Sequence, residues 1–128
     1  MNAFEFLAAG GAVAAIAVLA YILSGSPKVG SAALAAALSA GFGAFTAITI
    51  AQDGVVPVWT NHTQNFWGVQ VWWDLLFAVG IAAFFIAPRA RAAEMNLLPW
   101  LIFVAATASI GLLAMVARLF WLERRTTP

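Results

Sequence analysis

Four apolar stretches, each close to the length of a membrane crossing and separated by turn-forming segments, constrain this chain more than any other feature. They cover residues at about 4–23, 30–51, 67–88 and 97–120, and a bilayer core about 30 Å thick takes roughly 20 helical residues to cross. Only 9% of the residues are charged and the mean hydropathy is +0.95. A water-facing domain carries about 25% charged residues, so the natural solvent of this surface is lipid. Backbone groups in lipid must be satisfied within the chain, which favours helices. The expectation is an all-α integral membrane four-helix bundle, antiparallel, formed as one transmembrane domain over 1–128.

The connections set the topology. SGSPK joins the first two spans and PRARAAEMN the last two; Pro88 is expected to end one helix and Pro99 to fall in the first turn of the next. QDGVVPVWTNHTQNF is the long connection. Four crossings put the N-terminus, the long loop and the C-terminus on one side, the loop side, and both short turns on the other, the turn side. The start, MNAFEFLAAGG, carries Glu5 and no basic residue, so it reads as a retained membrane helix rather than a cleaved leader. Basic residues tie, with Lys28, Arg89 and Arg91 on the turn side and Arg118, Arg124 and Arg125 on the loop side. The nearest base to the first helix is Lys28 and the loop holds no Lys or Arg, so the termini and loop are expected outside a bacterial inner membrane.

Ser31, Ala35, Ser39, Gly43 and Ala47 recur every four residues in the second span. Such a small-residue ridge lets helices approach closely, within the bundle or between protomers of a homo-oligomer. With a net charge of +1 nothing attracts nucleic acid, and the absence of cysteine removes disulfides and thiolate chemistry.

The loop side collects the remaining polar chemistry. Trp59, Trp67, Trp72, Trp73 and Trp121 all fall there, with Trp100 opposite; they read either as an interfacial aromatic belt or as the lining of a site for an apolar ligand. Asp74 lies roughly 9 Å below the loop-side boundary at 1.5 Å per residue. A carboxylate at that depth is expected to face the bundle and to have a partner. Arg118 on the returning fourth span is the candidate, unless it extends outward to phosphates. Gln70 precedes Asp74 by one turn, Thr46, Thr49 and Asp53 share a helical face, Glu5 starts the first helix, and the loop supplies Asn61, His62, Gln64 and Asn65.

These residues outline either a polar vestibule or a structural cluster holding the helices in register. One histidine without cysteine is a poor metal site, and no nucleotide motif or hydrolytic triad is present, so no cofactor is indicated. A desolvated Asp74, or Asp53 or Glu5, could act as a general acid, whereas pairing with Arg118 would oppose that role for Asp74. Asn61-His62-Thr63 matches a glycosylation acceptor only formally.

The order Asn65, WDLLFAVGIAAFF, PRARAAEMNLLPW and ARLFWLERR resembles a bacterial family of small multi-span membrane proteins of unknown function, over roughly residues 60–125. The same segment is more faintly similar to the integral-membrane terpene cyclases, a resemblance that implies Asp74 as the proton donor to an isoprenoid-type lipid; those enzymes have more spans than this chain. Size and span count also resemble the small multidrug-resistance transporters, but residues 7–23 lack the acid expected within their first helix. The leading expectation is a small inner-membrane protein that works by binding, as an accessory subunit or a lipid- or ligand-binding bundle. A membrane-embedded acid–base enzyme and a small proton-coupled transporter are the alternatives. The expected site is Asp74, Arg118, Gln70, His62, Asn65, Trp67, Trp72, Trp73, Asp53 and Thr49.

Overall fold

A computed structural model describes residues 1–25 and 29–126; Lys28, counted above on the turn side, lies outside them. All its regular elements are helices: α1 (Ala3–Leu23), α2 (Ala32–Asp53), α3 (Val56–Thr60), α4 (Phe66–Ala92), α5 (Leu97–Thr107) and α6 (Ser109–Thr126). Among the described residues α1, α2 and α4 are long and apolar enough to cross a membrane, which makes this a helical membrane protein. The chain divides into two compact units, Met1–Gly30 and Ser31–Pro128.

The first unit is the single helix α1. Asn2 and Glu5 form a reciprocal capping box: the Glu5 amide donates to Asn2 Oδ1 at 2.9 Å and the Asn2 amide to Glu5 Oε2 at 2.7 Å. Two amides that would otherwise lack acceptors are thereby satisfied. Glu5, expected at the polar site, spends its carboxylate on this cap.

In the second unit the fourth expected span is not one helix. It breaks at Ala108, whose φ of 53° and ψ of −112° interrupt the helical ladder between α5 and α6. The run Thr107-Ala108-Ser109 explains why. Short hydroxyl side chains offer the backbone alternative partners, and Thr107 uses both functions of its hydroxyl, donating to the Phe103 carbonyl and accepting from the Gly111 amide, each at 2.8 Å. Gly111 permits the fold-back, because a Cβ there would stand 2.8 Å from the Phe103 carbonyl oxygen and 2.7 Å from Thr107 Oγ1.

The result is a helical hairpin, α5 packed on α6. The far end of α6 is identified by Arg89 and Glu123: Arg89 Nε donates to Glu123 Oε2 at 3.0 Å, and Nη2 donates to Oε1. Arg89 belongs to the last turn of α4, so the C-terminal ends of α4 and α6 lie together. Eleven residues of α5 reach about 16 Å, so the bend falls near the middle of a 30 Å core. The placement of the C-terminus on the loop side is therefore corrected: the last helix returns to the turn side. Trp121, Arg118, Arg124 and Arg125 move with it.

Irregular backbone at this depth survives only when protein satisfies it, which Thr107 does here, and α2 packs against α6 just past the break. Ser39 is buried and its hydroxyl donates to the Ile110 carbonyl at 2.8 Å, while Gly43 lies against the Ile110 side chain. Ala35 is buried one turn before Ser39. The small-residue ridge is thus occupied inside the chain by α6; Ser31 instead caps α2 through the Leu34 amide, and Ala47 is exposed.

The core sits at the turn end: Ala90, Met95, Val104, Met115 and Leu119, with Ile86, Leu97, Trp100 and Leu122 packed against them. Helix α4 does not stop at Pro88 as expected; Pro88 stands inside it, leaving the Phe84 carbonyl without its usual donor. The helix continues because Ala90 is needed in the core. It ends in a Schellman motif, with Glu94 at φ 60°, Met95 N–H bonded to the Ala90 carbonyl and Glu94 N–H to the Arg91 carbonyl. Met95 and Ala90, the residues that this motif brings together, are both buried.

Two outcomes follow from this hairpin. Because the chain has no cysteine, single substitutions report sidedness cleanly: Thr126→Cys and Arg91→Cys react with an impermeant maleimide from one side of the membrane, and Gln64→Cys from the other. Labelling of Thr126→Cys from the Gln64 side would remove the hairpin. Gly111→Val forces branched atoms against Thr107 and Phe103 and lowers stability by about 1–3 kcal/mol, read as a lower thermal midpoint in detergent.

Candidate functional site

The long connection is a docked cap. Val56–Thr60 forms the short helix α3 with Pro57 in its first turn. His62 Nδ1–H donates to the Val58 carbonyl at 2.6 Å, and Thr63 Oγ1 donates to the Trp59 carbonyl at 2.9 Å. The Trp72 ring of α4 meets both sides of the cap, 6.4 Å and edge-on from Trp59 and 5.5 Å from the His62 ring. A Cβ at Gly68 would stand 2.5 Å from the Asn61 carbonyl oxygen, so glycine is what allows the cap to lie on α4. Asn65 caps α4, its side-chain oxygen accepting from the Gly68 amide at 2.8 Å. His62, Asn65 and Trp72 thus have structural work at the loop end.

Helix α4 has two unlike faces. Gly68, Trp72, Leu75, Val79 and Ile86 are half-buried and Ala90 is fully buried, tracing one stripe at helical spacing. At 100° per residue the opposite stripe is Phe66, Gln70, Asp74, Phe77, Ile81 and Phe84, all of them exposed. Two shallow grooves run along this outer face. One, of about 440 Å³, is lined by Phe66, Trp67, Val69, Gln70 and Trp73; the other, of about 320 Å³, lies between Leu76, Phe77, Gly80, Ile81, Phe84 and Phe85. Asp74 stands between them in sequence, and the Trp73 and Phe77 rings pack on one another with centres 5.4 Å apart.

The expected vestibule is not assembled. Asp74 points away from the core and has no hydrogen bond or ion pair among the described residues. Arg118 lies at the opposite end of the unit, its guanidinium carbon 4.6 Å from the centre of the Trp121 ring. The two are separated because the fourth span folds back: Arg118 is within two turns of Glu123, which is paired to Arg89, and Asp74 precedes Arg89 by about 22 Å of helix. On α2, Thr49 donates to its own Phe45 carbonyl at 2.9 Å, and Asp53 is the exposed last residue. No group of three or more His, Asp or Glu side chains converges as a metal site among the described residues.

The outer aromatic stripe of α4 escaped the sequence reading, although its signal was present. Phe66, Gln70, Asp74, Phe77, Ile81 and Phe84 follow a helical period from Asp74 outward. The expectation that a submerged carboxylate faces inward hides that stripe. The Arg89–Glu123 pair escaped for a different reason: it needs the hairpin. Comparison with protein-family models, curated proteins and solved structures returns no match.

Proposed function

We propose that the protein is a small subunit of a membrane complex, and that it binds a partner transmembrane helix along the outer face of α4. The observation that carries this reading is Asp74: a carboxylate with no partner, on an exposed apolar face, about 9 Å inside the loop-side boundary. An ionised carboxylate facing hydrocarbon is costly, and such residues normally face protein. The arginines of the described second unit, Arg89, Arg91, Arg118, Arg124 and Arg125, all belong to the turn end, and His62 is held in the cap by the Val58 carbonyl and the Trp72 ring. A second copy inserted in the same direction offers no better match at that depth. Helix α1 carries no Lys, Arg or His, so the partner proposed is a different chain, with a Lys, Arg or His near the Asp74 level and small or apolar residues to fill the two aromatic grooves. Gln70, one turn nearer the surface, supplies a second polar contact.

The same distribution of arginines supports an orientation. With the arginines at one end and none on the cap, the positive-inside rule puts the turn end and C-terminus in the cytoplasm and the tryptophan-bearing cap outside.

The test is native gel electrophoresis of the protein solubilised from its own membrane. The wild type runs in an assembly larger than the 13.5 kDa chain. Asp74→Leu releases the chain from it, Asp74→Asn weakens it by less, and Arg91→Gln leaves it unchanged. Losing one partner of a buried charge pair costs about 2–5 kcal/mol, enough to dissociate most of the assembly. An assembly indifferent to Asp74→Leu would refute the proposal.

A further inference from the structure

The last two turns of α6 carry an arrangement independent of Asp74. Arg118 and Arg125 lie three residues before and four residues after Trp121, so all three share one face of the helix. Both guanidinium carbons sit 4.6 Å from the centre of the same indole ring. Two like charges are thereby held no more than twice that distance apart. Neither is paired with a carboxylate among the described residues, because Glu123, the nearest acid in sequence, takes the bidentate contact of Arg89. Arg89 itself is turned across the Phe120 ring, 5.6 Å from its centre. Charge on α6 is therefore sorted: one arginine–glutamate pair locks α6 to α4, and two further arginines converge on Trp121 with no counter-charge among the described residues.

We infer that Arg118, Trp121 and Arg125 form a headgroup site for an anionic phospholipid at the membrane surface of the turn end. Three features support it. The site lies at the level of the α4 end, where a crossing that starts near Gly68 reaches the interface. Indole prefers the headgroup layer, with its ring among the glycerol and upper acyl groups. Guanidinium groups bind phosphate oxygens in a bidentate fashion, and stacking on the ring pre-orders them for it. The shared chemistry is a phosphate; the source assigned is a lipid, because an acyl chain leaving the headgroup runs along the exposed apolar surface of the helices. The α6 helix dipole also favours cations at this terminus, but it accounts for charge alone and not for two arginines gathered on one tryptophan.

The experiment measures lipid retention. The full chain is placed in nanodiscs of mixed phosphatidylglycerol and phosphatidylcholine, released gently, and the lipids that stay bound are counted by native mass spectrometry. The wild type retains phosphatidylglycerol in preference to phosphatidylcholine. The pair Arg118→Gln with Arg125→Gln lowers that preference roughly tenfold or more, as expected for two cations at an anionic surface. Arg91→Gln, outside the cluster, leaves the preference largely in place. If the glutamine pair fails to fold, judged by helix content, Trp121→Leu must lower the preference in its stead, since it removes the shared ring and neither charge. Equal retention of the two lipids by the wild type overturns the site, as does a preference unchanged in the folded variants. Inorganic phosphate added as competitor should leave the bound lipid in place; displacement by it at low concentration would assign the site to free phosphate and overturn the lipid reading.

Discussion

A hydrogen bond from the Ser39 hydroxyl to the Ile110 carbonyl, at 2.8 Å, holds the part of this protein that the rest of the second unit depends on. It ties α2 to the first turn of α6 just past the break at Ala108, and because the Ile110 carbonyl already belongs to the α6 ladder, what the bond satisfies is the buried Ser39 hydroxyl, a group that would be costly unpaired in an apolar layer. Thr107 serves the break itself, and Ser39 holds α2 against the turn that follows it. The small residues around Ser39 matter for the same reason: Ala35 and Gly43 let the α2 backbone come close enough for a short hydroxyl to reach. A leucine at Ala35 or Gly43 would hold α6 away and leave the buried Ser39 hydroxyl without its acceptor.

From that break follows the direction of α6, and from the direction follows the charge distribution. A straight fourth span would have carried Arg118, Arg124 and Arg125 to the loop side, and the basic residues would have balanced across the membrane. The fold-back puts them with Arg89 and Arg91 instead. The Arg89–Glu123 pair is partly exposed, so it adds at most a modest increment to stability. Its value is geometric, since it fixes which end of α4 the last helix meets.

Much of the fold was legible in the sequence because hydropathy and turn chemistry are local signals. The first three spans, the position of the long connection between the second and third, and the Ala35–Ser39–Gly43 part of the ridge on α2 follow from residue types at set spacing, whereas the short helix α3 and its docking on Gly68 and Trp72 do not. The hairpin did not follow, because nothing in the apolar run LLPWLIFVAAT forbids a continuous helix from Leu97 to Thr126. The break is made by Thr107, Ala108 and Gly111, and the turn after it is held by Ser39, whose partner Ile110 is 71 positions away along the chain. Pro88 misled in the opposite direction. Its local penalty is real, but the burial of Ala90 and Met95 beyond it outweighs one lost hydrogen bond. For the site, the residue types were legible and their meeting was not. Glu5, His62, Asn65 and Thr49 each satisfy a neighbour in their own segment, so a list of polar residues near one level was not a list of residues that face one another.

Asp74 is what remains after those local demands are met. Glu5, Thr49, His62 and Asn65 each have a partner in their own segment, and Asp53 sits at the end of α2 in reach of the headgroup layer. Asp74 has neither, and it shares its face with Gln70 and a series of aromatic side chains rather than with the small residues that α6 covers. Two packing surfaces of different chemistry therefore coexist in the second unit. The α2 surface is small, hydroxyl-bearing and filled from within the chain; the α4 surface is large, aromatic, grooved and open. The first needs close backbone approach and is complete. The second cannot be closed by the same means, because its bulky rings keep another backbone at a distance and its carboxylate needs a donor. A side chain long enough to cross that distance and carrying a proton or positive charge meets both demands at once, and a lysine or arginine on a partner helix has that form.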